Sequence, residues 1–145
     1  DFLQMNETEA GLLSETHTLD ERAARAFGER VLGLGPTAVV ITRGSRGSWT
    51  AYRRPDGSSG FLSCRLPAQG PAVDETGCGD VFLMGFTWAH LCNGDPEFAT
   101  RFANRVAGIN CCLRGIEEVS HIGRLLPEEE HIQIASGTHG EGAAG

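Results

Sequence analysis

Long apolar runs, basic stripes and paired-cysteine motifs are missing from this 145-residue chain, and each absence removes a class of protein. No stretch approaches the ~20 apolar residues of a membrane span. The most apolar window, Val81 to Leu91, is interrupted by Gly85 and His90. The first residues, Asp1-Phe2-Leu3-Gln4, carry no basic region of the kind that opens a signal peptide. Glycines without a G-X-Y period and an apolar share of 40% exclude collagen and a wholly disordered chain. Basic residues number 12 against 19 acidic, a net charge of −7, and only Arg43, Arg46, Arg53 and Arg54 form a local basic group. Binding along a nucleic-acid phosphate backbone is therefore disfavoured. An acidic protein can still hold a small polyanion through backbone N–H groups and a metal ion. The five cysteines (Cys64, Cys78, Cys92, Cys111, Cys112) are odd in number and lack C-x-x-C spacing. They read as reduced thiols of a cytosolic protein, and a cytoplasmic location is expected. The five histidines show no ligand spacing, which disfavours zinc. There is no G-x-x-x-x-G-K-[ST] loop and no internal repeat.

Glycine is what the chain has in excess: 20 residues, about twice the usual ~7%. Such an excess implies backbone positions with φ > 0 or with something lying close against the main chain. The chain is long enough for one core. Asn6, with Glu9 three residues on, reads as a capped helix start. Thr18-Leu19-Asp20-Glu21 opens a second helix with Leu19, Ala23, Ala26, Phe27 and Val31-Leu32 on one face, ended by Gly33, Gly35 and Pro36. Ala38–Ile41 is a buried-strand run; strands also follow at Ser48–Tyr52 and Phe61–Leu66, with turns between them. From Gly79-Asp80 to Leu91 a helix is apolar nearly all round, which predicts burial on every face. Asn93-Gly94 stops it, and Asp95-Pro96 starts another with the stripe Phe98, Phe102, Val106, Ile109, Leu113. Residues 133–145, rich in Gly, Ala, Ser, His and Glu, read as a disordered tail. Alternating helices and strands argue α/β, and strand-turn-strand in the middle implies a locally antiparallel portion.

The glycines concentrate at two places. Thr42-Arg43-Gly44-Ser45-Arg46-Gly47 follows the buried strand. It reads either as a hairpin turn or as a loop whose amides, with the Thr42 and Ser45 hydroxyls, approach a phosphate. Gly77-Cys78-Gly79-Asp80 opens the apolar helix, where unobstructed first-turn N–H groups and the helix dipole form an anion hole. Asp80 is either an ordinary first-turn carboxylate or a general base taking a proton from an attacking alcohol. Asp74 is either a loop cap or a cation ligand.

Asn6-Glu7-Thr8-Glu9, then Thr42 to Gly47 after a strand, then Asp74-Glu75-Thr76-Gly77-Cys78-Gly79-Asp80 before a buried helix resembles the second half of the PfkB-type carbohydrate kinase (ribokinase-like) family. The resemblance runs from Asn6 to about Gly115, and its last motif, roughly D-T-x-G-A-G-D in the family, is the specific one. It implies a three-layer α/β/α sandwich, of which residues 1–132 would be the C-terminal, nucleotide-binding portion with a mixed sheet. It also implies an ATP-dependent phosphotransferase acting on an alcohol of a sugar, nucleoside or related small polyol. Carried over by position, Asp80 matches the catalytic base, and the amides of Gly77, Cys78 and Gly79 the anion hole. Glu9 matches the acid that places Mg²⁺ through water, and Asn6 lies near the nucleotide phosphates. Thr42, Gly44, Ser45 and Gly47 match the ATP loop. Asn104 matches a residue near the adenine, or else is an exposed helix polar residue. Asp74 and the carbonyl of Thr76 match a monovalent-cation site, commonly K⁺. Glu75 departs from a usual small hydroxyl residue, Cys78 from Ala, and Met84 is bulkier than the residue usual there.

Family members are roughly twice as long, and their first half carries most acceptor contacts. The chain is thus expected to be a fragment, inactive and poorly soluble or associating alone, of a protein that forms a homodimer. The implied partners are a sugar or nucleoside acceptor, with no nucleic acid and no membrane. The other reading is a non-catalytic nucleotide-binding or regulatory protein on the same fold, which would have no need of Asp80.

Overall fold

The computed structural model describes residues 1–16, 18–66, 73–74, 76–113 and 122. Two compact units divide the chain, Asp1–Leu66 and Pro67–Gly145.

The first unit is built on one sheet in the order β1 (Phe2–Asn6), β2 (Ala38–Thr42), β3 (Ser48–Arg53), β4 (Ser59–Cys64). β1 and β2 are parallel, while β2–β3 and β3–β4 are antiparallel, so the sheet is mixed as expected. The sequence reading assigns no strand before Asn6. β1 exists because its five residues pair along the whole of β2, from Phe2 with Ala38 to Asn6 with Thr42. β4 starts two residues earlier than the pattern suggests, because Ser59 and Gly60 pair with Arg53 and Tyr52.

Helix α1 (Glu7–Leu13) follows β1, and α2 (Glu21–Leu32) begins where the Asp20 side chain accepts the Ala23 N–H at 2.7 Å. Ala24, Phe27 and Leu32 of α2 join Met5, Ala10, Leu19, Val39, Ile41, Trp49 and Ala51 in one core. Burial of Phe27, Ile41 and Trp49 contributes on the order of 2 kcal/mol apiece. Gly28 tolerates its mid-helix position because α2 lies so close to β3 that a Cβ there would run into Ala51.

In the second unit α3 (Cys78–Asn93) and α4 (Pro96–Cys111) pack against each other. Gly94, left-handed at φ 73°, stops α3, and the Asp95 side chain accepts the Glu97 N–H at 2.9 Å ahead of Pro96 to start α4. Gly85 lets the helices approach, with its would-be Cβ 3.4 Å from the Ala103 Cα. Trp88 and Phe98 both contact the Phe102 ring, at 5.6 and 6.1 Å between centroids.

One expectation fails here. α3 buries Val81, Phe82, Gly85, Phe86 and Ala89, but Leu83, Met84, Trp88 and Leu91 are exposed, Leu91 at 79%. The helix is apolar on more sides than the described residues cover. Among those residues no helix is long and apolar enough to cross a membrane. The tail expected at 133–145 lies outside the described residues.

Candidate functional site

In the first unit the parallel register makes Asn6 the partner of Thr42. The Asn6-to-Glu9 element and the Thr42–Gly47 loop therefore leave the same end of the sheet side by side. Asn6 Oδ1 accepts the Glu9 N–H and Glu9 Oε2 accepts the Asn6 N–H, each at 2.8 Å. This reciprocal box starts α1, a structural task both residues perform whatever else they do. Thr42 is tied back to the strand, its Oγ1 donating to the Met5 carbonyl at 3.4 Å.

The loop itself is a short 3₁₀ turn over Gly44–Arg46. Arg43 N–H donates to the Gly47 carbonyl at 2.8 Å, and Gly47 N–H to the Gly44 carbonyl at 3.0 Å. Gly47 has φ +88°, and a Cβ there would collide with the backbone of Cys64, Arg65 and Leu66. Its glycine is dictated by strand packing. Gly44 (φ +56°) has nothing within 4 Å of where a Cβ would stand, and Ser45 is exposed beside it. Arg46 pairs with Glu7, fastening the turn to α1.

Sequence reasoning missed what lies on the α2 side of this loop. The Arg43 guanidinium stacks 3.8 Å over the Trp49 ring. Burial first, then the like charge of Arg46, holds that guanidinium below its usual range. A cavity of about 680 Å³ is lined there by Arg43, Ser45, Arg46, Trp49 and Arg65 among others. Only the pairing of β3 with β4 brings Arg65 to this place, so no local pattern announces it.

In the second unit the Asp74 carboxylate accepts the Thr76 N–H at 2.8 Å, and hydrogen bonding by Thr76 holds it below the ordinary carboxylate range. The N–H groups of Val73 and Asp74 both reach the Cys111 carbonyl, at 2.7 and 3.2 Å, so the segment before α3 is fastened to the last turn of α4. Gly77 caps α3 in the left-handed region (φ 75°, ψ 0°) and, having no side chain, makes no side-chain capping bond of its own. A Cβ on Gly79 would have nothing within 4 Å. Asp80 sits in that first turn and is exposed. A helix N-terminus carries partial positive charge from its first-turn amides.

Asn104 does not face solvent. It is buried on α4, and its Nδ2 donates to the Thr100 carbonyl at 2.8 Å. The expectation of five reduced thiols is also corrected: Cys78 and Cys111 are joined as a disulfide, their Cα atoms 6.3 Å apart. The α3–α4 hairpin brings residues 33 apart in sequence together, which cysteine spacing alone does not reveal. Cys64, Cys92 and Cys112 are in no disulfide among the described residues. Asn110, a further residue missed within the apolar run of α4, is buried with Nδ2 3.4 Å from the Cys78 sulfur and 3.5 Å from the Thr76 carbonyl. Among the described residues no group of three or more His, Cys, Asp or Glu side chains could hold a metal.

Comparison with known proteins agrees with this layout. The profile of the pfkB family carbohydrate kinases matches residues 1–121. A ribokinase of Bacillus subtilis (strain 168) is 34% identical over 116 residues, covering 80% of this chain and 34% of that protein. A ribokinase of Haemophilus influenzae is 29% identical over 117 residues, 81% of this chain and 36% of that protein. The chain thus spans about a third of the length of these curated relatives. Among solved structures, a ribokinase from Giardia lamblia superposes with a TM-score of 0.66 at 26% identity, over 87% of this chain and 44% of that one. The Arabidopsis thaliana ribokinase complexed with ribose and ATP gives 0.68 at 23% identity, over 97% and 41%. The profile match over most of its length, together with these relatives, shows that the chain belongs to the pfkB family of carbohydrate kinases.

Proposed function

We propose that the protein carrying this chain transfers the γ-phosphoryl group of ATP to an alcohol of a sugar, nucleoside or related small polyol, and that these residues form the nucleotide-side half of the site. The observation that carries this reading is the glycine-lined start of α3, open where a Gly79 side chain would stand, with Asp80 in its first turn. Phosphoryl transfer needs positioning and charge neutralisation more than covalent chemistry. Backbone donors and one carboxylate base suffice for the protein's share.

In this scheme Asp80 takes the proton of the acceptor hydroxyl. The amides of Gly77, Cys78 and Gly79 receive the charge that develops on the transferring phosphoryl oxygens. The open space at Gly79 leaves room for such an oxygen. Asn6 and the Thr42, Gly44, Ser45 segment flank the nucleotide phosphates, while Gly47, its amide already bonded to Gly44, holds the loop in shape. Glu9 uses one oxygen to cap α1 and has a second for a water on Mg²⁺, an ion that supplies charge neutralisation when bound. Asp74, ionised well into the acid range, and the Thr76 carbonyl suit a monovalent cation such as K⁺. Asn104, braced by Thr100, would shape the adenine side from within α4.

The acceptor contacts belong to the rest of a full-length cytoplasmic protein, a homodimer, and the chain alone would be inactive. The test is ATP-to-ADP turnover by the full-length protein across a panel of sugars and nucleosides, wild type against Asp80→Asn. A loss of at least ~10²-fold is expected, the low end for a general base. Equal turnover would remove Asp80 from that role.

A further inference from the structure

Cys78 is the first residue of α3, with its amide in the proposed anion hole and its sulfur on that of Cys111 in the last turn of α4. A Cα separation of 6.3 Å lies within the range that a disulfide spans without backbone movement. We propose that Cys78 and Cys111 are a reversible dithiol–disulfide site, through which peroxide-class oxidants switch off phosphoryl transfer at α3. The regulatory part rests on the kinase reading above.

Two features make Cys78 the attacking thiol. The Asn110 amide, 3.4 Å away, donates to its sulfur. Cys78 is only half-buried, so a small oxidant can reach it. The chemistry balances with hydrogen peroxide as oxidant. The Cys78 thiol attacks one peroxide oxygen and gives up its proton, the O–O bond breaks, and the products are a sulfenic acid and water. The Cys111 thiol then attacks the sulfenic sulfur, forming the S–S bond and releasing the second water. A small dithiol reverses the reaction by becoming a disulfide itself.

The consequence follows from what the end of α4 holds. The Cys111 carbonyl binds the N–H groups of Val73 and Asp74, and Asn110 reaches the Thr76 carbonyl. A covalent bond from Cys111 to Cys78 adds a tether at the hole itself and holds its amide back against α4. Reduction frees the start of α3 to close on a phosphoryl group. A donor displaced by about 1 Å can cost ~10²-fold in rate.

The experiment takes the reduced full-length protein, exposes it to hydrogen peroxide, and follows ATP turnover and non-reducing peptide maps together. The expected map links the Cys78 peptide to the Cys111 peptide. Turnover is expected to fall at least ~10-fold and to return with dithiothreitol. Cys111→Ser is expected to keep its turnover through the same exposure, with a sulfenic acid on Cys78 that dimedone traps. A link from Cys78 to Cys112, no link at all, or a link without loss of turnover would each overturn the proposal. A reduced wild type that turns over no ATP would overturn the kinase reading and the regulatory consequence with it, while the map would still decide the pair.

Discussion

The two glycine loops look alike in sequence and do different work. At Gly47 the glycine serves the fold: φ is +88°, and a Cβ would run into the backbone following β4. At Gly79 it serves the space outside, since nothing stands within 4 Å of the missing side chain. The first loop bonds its own amides, Arg43 with Gly47 and Gly47 with Gly44, whereas α3 starts at a left-handed glycine that has no side chain to cap it. One glycine is required by the packing of its own backbone and the other is not, which is the physical difference between the two loops.

Function should separate from stability along this line. The largest expected effect is the ~10²-fold loss of turnover in Asp80→Asn, with the thermal midpoint unchanged because that side chain is exposed. Next comes Gly47→Ala, expected to destabilise by about 2–3 kcal/mol, since it joins an incompatible φ to a backbone collision. Chemical denaturation of the purified protein would read it. Gly79→Ala is its mirror, expected to be neutral or to stabilise by up to about 1 kcal/mol as a helix glycine replaced, yet to lower turnover. If Gly47→Ala kept full stability while Gly79→Ala lost it, the assignment of the two glycines would be reversed.

The same contrast divides the capping box. Asn6→Ala removes the acceptor for the Glu9 N–H and should cost about 1 kcal/mol of unfolding free energy. Glu9→Gln keeps a side-chain acceptor for the Asn6 N–H and should leave unfolding nearly unchanged. It should instead raise the Mg²⁺ concentration for half-maximal turnover about 10-fold, the low end for an outer-shell metal partner. An unfolding loss in Glu9→Gln equal to that of Asn6→Ala, with no change in Mg²⁺ dependence, would confine Glu9 to capping.

What the sequence made legible was local. Asp20 and Asp95 as caps, Gly94 as a stop, the β-branched run of β2 and the glycine-lined start of α3 each state their structure within a few neighbours. β1 was not legible, because its pairing is with residues 36 positions on and its own pattern buries only Met5. The Arg43–Trp49 stack and the approach of Arg65 depend on strand register, and the Cys78–Cys111 pair on how a helix hairpin closes. The signature around Asp80 was readable because a helix N-terminus concentrates its chemistry in one turn. The capping box of Glu9 shows in the spacing, whereas its proposed part in placing Mg²⁺ has no local pattern.

The smallest effect tests a half-buried side chain of the second unit. Burial holds the His90 imidazole below its usual range, with the ring stacked 5.8 Å from Phe86 and Nδ1 buried with no hydrogen-bond partner among the described residues. The negative charge of Asp95 pulls the other way, but less strongly. The unfolded chain takes up the proton near pH ~6.5, and the folded one only at lower pH. Between those values the unfolded state binds more protons, so stability rises with pH. His90 thus costs nothing above ~6.5, and its destabilisation grows as pH falls toward the folded value, by at most about 1.4 kcal/mol per pH unit. Denaturation at pH 7.5 and 5.5 should show a wild-type loss that His90→Leu reduces. Parallel losses in the two proteins would mean that another group carries the pH dependence, and that the half-buried place beside Phe86 accepts the charged ring.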